Sequence, residues 1–156
     1  MRFEHLVEIN DFIQPAGTLL TRDQVWSGLM HRVEDSRPFM PGLDECRILA
    51  REESGIQRCL RFGTTEIFDC VLYAEERWVC FESQATSTHG GGRLTILLEE
   101  PQPMHLFLRF IYETGFALGA EQEDAPYADY LQQAYAAADI ETVRVIRLLA
   151  AAGSRQ

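Results

Sequence analysis

The chain contains no lysine: all fourteen of its basic residues are Arg. A Schiff-base nucleophile and a phosphate-binding P-loop each require Lys, so both are excluded. No apolar run approaches the roughly 20 residues needed to cross a bilayer. The opening Met1-Arg2-Phe3-Glu4-His5 carries no hydrophobic signal segment. The expectation is a cytoplasmic protein without membrane insertion. Positive charge is scarce, since 14 basic residues face 24 acidic ones and leave a net charge of −10. Nucleic acid is therefore not an expected partner, because phosphate neutralisation needs a basic surface. The sequence also lacks G-x-S-x-G, H-E-x-x-H and a G-x-G-x-x-G following a strand, which removes the motif-borne triads and metal sites. Its four cysteines (Cys46, Cys59, Cys70 and Cys80) form no C-x-x-C pair. They read as buried thiols in a reducing compartment, and no metal or cofactor is expected.

At 156 residues, 46% of them apolar, the chain suits one globular domain spanning 1–156. From Leu43 to Tyr112 apolar and polar residues alternate, as in Met104-His105-Leu106-Phe107-Leu108-Arg109-Phe110. Turn residues interrupt the alternation at Glu53-Ser54-Gly55, Gly63-Thr64-Thr65, Ala74-Glu75-Glu76, His89 to Gly92 and Pro101-Gln102-Pro103. Period-2 alternation broken in this way predicts an antiparallel meander. Its six strands fall at about 43–52, 56–63, 66–74, 77–86, 93–99 and 104–112, after a first strand over Phe3 to Asn10.

Two helices flank the meander. Thr21-Arg22-Asp23-Gln24 is a capping box, and Val25, Trp26, Leu29, Met30 and Val33 follow at helical spacing, predicting a helix over about 22–35. Thr114 to Asp124 reads as a loop rich in glycine and acid. Asp124-Ala125-Pro126 then opens a long Ala- and Leu-rich helix ending near Gly153, with Leu131, Tyr135, Ala138, Thr142, Val145 and Leu149 on one face. Such a helix can lie along a curled sheet and fill its concavity.

The order of elements resembles the helix-grip fold of the START-like or SRPBCC superfamily, which includes the Bet v 1-like plant pathogenesis-related allergens and the polyketide cyclases. The runs Phe3 to Asn10, Leu20-Thr21-Arg22-Asp23-Gln24-Val25-Trp26-Ser27-Gly28-Leu29 and Phe39 to Leu43 resemble its small AtaL-like branch of mostly uncharacterised proteins. The resemblance implies an α+β fold: a curved seven-stranded antiparallel sheet gripping a long C-terminal helix. It also implies a pocket between them for a small hydrophobic molecule, bound by a carrier or transformed by a cyclase-like enzyme. The glycine-rich loop of the plant allergens has no counterpart here, because the turn in that place is only Glu53-Ser54-Gly55.

Candidate pocket residues come from the strand pattern. A two-residue turn near Thr64-Thr65 would pair Phe62 with Ile67, Leu60 with Asp69 and Arg58 with Val71. Arg58 and Asp69 then become diagonal neighbours on one face and, if that face is the inner one, a buried polar anchor. Phe81 is expected to line the same space. Tyr73, Tyr112 and Tyr135 each fit either a ligand contact or ordinary core. His5 shares a face with Phe3, Val7 and Ile9, where it can serve proton transfer or simply be a hydrogen-bonded core residue. On the opposite face Phe68 and Leu72, with Trp78 and Leu97 in one of two registers near Glu75-Glu76, form an apolar patch that suggests a homodimer. A third reading is a dimeric interaction module without a ligand, which a solid core would favour.

Overall fold

The computed structural model describes residues 2–14, 17–85, 90–114 and 125–153. The elements are β1 (Arg2–Glu8), α1 (Arg22–Glu34), β2 (Glu45–Glu52), β3 (Gly55–Phe62), β4 (Thr65–Ala74), β5 (Trp78–Ser83), β6 (Gly92–Gln102), β7 (His105–Thr114) and α2 (Ala125–Gly153). All seven strands form one antiparallel sheet in the order β1-β7-β6-β5-β4-β3-β2. The expected loop at 115–124 lies outside the described residues.

Burial alternates strictly along β7, where Leu106, Leu108, Phe110 and Tyr112 point into the core and the residues between them are partly exposed. Ile96 and Leu98 of β6, Val79 and Phe81 of β5 and Val71 of β4 continue this inner face. Two residues per repeat thus put one apolar side under cover and leave the other to water.

The cover is made by both helices. The Thr21 hydroxyl accepts from the Gln24 amide at 3.1 Å and the Gln24 side chain accepts from the Thr21 amide at 2.9 Å, closing the capping box that starts α1. Val25, Trp26, Leu29 and Val33 are buried from α1, and Val143, Val145 and Ile146 from α2. The helices touch at Gly28, where an added Cβ would come within 2.7 Å of Ile146 Cγ1. The inward face of α2 carries Tyr135, Thr142, Val145 and Leu149 as expected but departs from expectation at one position. Ala138 is exposed, whereas Asp139, one position on, is 0% exposed.

One strand register also differs from the sequence reading, and a second is one of the two that reading left open. The β3–β4 turn is Gly63-Thr64, with Gly63 at φ +61°, so Phe62 pairs with Thr65, Leu60 with Ile67 and Arg58 with Asp69. The turn sits one residue earlier than expected, so each pairing shifts by two residues, and an even shift keeps every side chain on its face. Between β4 and β5, Ala74 pairs with Trp78 around a three-residue loop in which Glu76 adopts φ +60°. Tyr73 therefore faces Val79, and Trp78 stands on the outer face, where its partner is Leu97. The ladder between β6 and β7 continues past Pro101 to a Gln102–His105 pair, after an irregularity that accommodates the proline.

Candidate functional site

A cavity of about 260 Å³ lies where the concave sheet, the end of α1 and the first half of α2 meet. Its apolar wall is made by Met40, Leu60, Phe62, Ile67, Phe81 and Leu94. Its polar groups are Arg32 and Ser36 from the α1 end, Arg58 and Asp69 from the sheet, and Tyr112 and Tyr135. Gly91 and Gly92 also border it, with Ser83 and Thr114. Gly91 sits at φ +76°, and a Cβ there would stand 3.0 Å from the Ser83 carbonyl, so backbone fit is the reason for glycine at this point.

Arg58 and Asp69 are 1% and 3% exposed. They form a two-pronged pair, with Nε donating to Oδ1 at 2.9 Å and Nη2 to Oδ2 at 2.7 Å. The remaining nitrogen, Nη1, donates to the carbonyls of Val33 (2.9 Å) and Arg32 (3.2 Å) and to Ser36 Oγ (2.9 Å). These carbonyls lie in the last turn of α1, where backbone acceptors lack helical partners and a cation is favoured. Arg58 thus joins the middle of the sheet to the end of the helix. Its donors are largely committed within the protein.

Arg32 is placed differently. Its Nη1 donates to Thr142 Oγ1 of α2 at 2.8 Å, while its Nε is shut off from solvent and meets no acceptor among the described residues. Both guanidiniums sit against Phe81, with carbons 5.2 Å (Arg32) and 5.1 Å (Arg58) from the ring centroid. Burial, together with the charge of Arg58, lowers the Arg32 pKa from its ordinary value. Tyr112, Asp139 and Asp69 oppose that shift.

Behind the cavity runs a second polar chain. Tyr112 of β7 stacks on Tyr135 of α2 with centroids 4.0 Å apart and planes 9° from parallel. The Tyr112 hydroxyl donates to Asp139 Oδ1, and Asp139 Oδ2 meets His5 Nδ1 at 3.0 Å. Burial raises the Asp139 pKa against the hydrogen bonds of Tyr112 and His5. The Tyr112 phenol is raised by burial and by the Asp139 charge, so it remains protonated well above neutrality. His5 is partly exposed and connects this buried carboxylate to the surface.

Of the residues expected at the pocket, Arg58, Asp69, Phe81, Tyr112 and Tyr135 converge on the cavity. His5 lies one step behind it, reached through Asp139. Tyr73 does not join them. It is 46% exposed and meets the edge of Trp26, ring centroids 6.0 Å apart, at the far end of β4.

Residues 7–153 match the model of the family described as acetylaranotin biosynthesis cluster protein L, AtaL. The chain belongs to this family. No curated protein sequence matches it. Among solved structures it resembles the di-domain ARO/CYC StfQ from the steffimycin biosynthetic pathway, at TM-score 0.72 and 11% identity over 99% of this chain. The chain spans about half of StfQ, 52% of its length. It also resembles the Zhui aromatase/cyclase from Streptomyces sp. R1128 (TM-score 0.67, 13% identity, 96% of this chain and 93% of the other). A third relative is a START superfamily protein from Mycobacterium smegmatis (TM-score 0.65, 18% identity, 94% and 98%). At these identities the likeness is one of fold, and the fold is the helix grip.

Sequence reasoning missed three polar residues of this AtaL-family site: Arg32, Ser36 and Asp139. The spacing held a signal for the last. Asp139 follows Tyr135 by four and precedes Thr142 by three, which places it on the Tyr135 face of α2. Among the described residues no group of three His, Cys, Asp or Glu side chains is placed to hold a metal ion, and no helix is long and apolar enough to cross a membrane.

Proposed function

We propose that the chain binds a small, mostly apolar molecule in the cavity between its sheet and α2. The observation that carries this reading is the cavity itself: about 260 Å³, walled by aliphatic and aromatic side chains and ringed by a few polar groups. Its volume is near the lower end of the roughly 300–1,000 Å³ usual for ligand pockets, which favours a compact molecule over a long lipid. Arg58 and Asp69 shape the site by fixing the end of α1. Phe81, Tyr112 and Tyr135 line the space left for the occupant.

Native mass spectrometry of freshly purified protein should reveal a retained small molecule. Stripped protein should bind the neutral fluorophore N-phenyl-1-naphthylamine. Ile67→Trp, which fills the cavity, should abolish that binding while the protein stays folded. Absence of both signals, or full binding by the Ile67→Trp protein, would overturn the reading.

One observation favours a second reading, a cyclase-like enzyme. Tyr112, Asp139 and His5 form a hydrogen-bonded chain from the cavity wall towards the surface, an arrangement suited to moving a proton. On this reading Tyr112→Phe abolishes turnover of a bound substrate but leaves its affinity intact. The outer sheet face, where Phe68 and Leu72 are 40% and 43% exposed, is proposed to meet a second copy of the chain.

A further inference from the structure

We propose that Arg32 is the recognition point for a carboxylate on the bound molecule, so that the ligand is a small apolar monocarboxylate. The inference rests on the cavity reading above and adds the chemistry of the ligand's head group.

Two arginines flank the Phe81 ring at nearly equal distance, and the protein treats them unequally. Arg58 presents its Nε and Nη2 edge to Asp69, which occupies both donors, while its Nη1 is taken up by α1 and Ser36. Arg32 spends Nη1 on Thr142 in the same manner. Its Nε, however, is buried without an acceptor among the described residues. A buried donor left unpaired on a cation is costly, and such donors are nearly always paired. The nearest acids are already engaged: Asp69 with Arg58, and Asp139 with Tyr112 and His5.

Arg32 borders the cavity, so a group lying in that space can reach it. The paired donors of a guanidinium edge match the two oxygens of one carboxylate, as Asp69 demonstrates on Arg58. The other cavity walls are mainly apolar and carry one internal ion pair, so a single negative group with a hydrocarbon body is the complement. A polyanion is disfavoured by the net charge of −10.

Isothermal titration with octanoate and 1-octanol, which share a hydrocarbon chain and differ in the head group, tests the assignment. The wild type should bind octanoate at least about tenfold more tightly than octanol. Arg32→Met should lose that preference, binding the two probes within about threefold of each other. Arg32→Lys keeps the charge without the two parallel donors, so it should fall between them and gives a reading even where the Met variant fails to fold. Equal binding of the two probes by wild type, or a preference that survives in both variants, would overturn the inference and leave the cavity reading standing. Binding of neither probe would overturn both.

Discussion

Asp69 stands directly opposite Arg58 across the β3–β4 ladder, and its carboxylate accepts two hydrogen bonds from the guanidinium inside the protein. Because the arginine also holds the last turn of α1, removing its carboxylate leaves a buried cation with part of its shell missing. Asp69→Ala should cost roughly 3–5 kcal/mol, equivalent to about 6–20 °C in melting temperature for a chain of this size. The double change Arg58→Met with Asp69→Leu removes both charges and should cost less than either single removal. Thermal melts of the three variants check this, and equal losses in all of them would contradict it.

Gly28 gives the contact between the helices its closeness. An alanine there gains about 1 kcal/mol of helix propensity. It also places a methyl within 2.7–3.1 Å of three Ile146 side-chain atoms, including Cβ, which has little room to move. Overpacking of this kind costs about 1–3 kcal/mol, so Gly28→Ala should be neutral to mildly destabilising and Gly28→Val strongly so. Pairing Gly28→Ala with Ile146→Ala should relieve the clash, and a double-mutant cycle in urea would measure the coupling.

Asp139 should make stability fall with pH. Its folded pKa is raised by burial, so the folded protein holds this proton longer than the unfolded chain does. The resulting stabilisation is complete below the ordinary carboxyl range. It is lost as pH climbs through the raised value. Asp139→Asn keeps an acceptor for Tyr112 and a group for His5 but has no proton to lose. Its melting temperature relative to wild type should therefore rise as pH goes from acid to neutral. Paired melts across that range test the sign, and a relative melting temperature that falls instead would show that His5, Tyr112 and Arg32 outweigh burial.

The outer face makes a separate prediction. Phe68 and Leu72 of β4 share the outer sheet face with Trp78 of β5, which pairs with Leu97 of β6. Sedimentation at tens of micromolar (~10⁻⁵ M) should show a dimer, and Phe68→Glu with Leu72→Glu should return a folded monomer. A wild-type monomer at that concentration would rule the interface out.

The strands were legible because alternation is a local property. Leu106 to Tyr112 announce their faces without reference to the rest of the chain. The turn at Gly63-Thr64 was misplaced by one residue and the pairing by two, and the faces of Arg58 and Asp69 survived because the shift in pairing was even. Arg32 and Asp139 escaped notice for a different reason. A charged residue on a helix normally points to water, and only the spacing of Asp139 from Tyr135 and Thr142 hinted otherwise. Their burial depends on partners far away in the chain: Thr142 for Arg32, and Tyr112 and His5 for Asp139. Tyr73 failed in the opposite direction, since its parity was right but the cavity ends short of it.

The place of β1 beside β7 has a consequence for the order in which the molecule is assembled. Arg2 pairs with Glu113, so the first strand has no neighbour until the seventh has been synthesised. At the usual pace of about 5–20 residues per second, β1 waits on the order of 5–20 s on a growing polypeptide. Meanwhile β2 to β6 can zip as successive hairpins, since each pairs with the next. His5 therefore meets Asp139 only after β1 has closed the edge and α2 has left the ribosome. The cavity is the last compartment to be completed, and a molecule held in it at that moment would act on the final docking step, with the meander already formed.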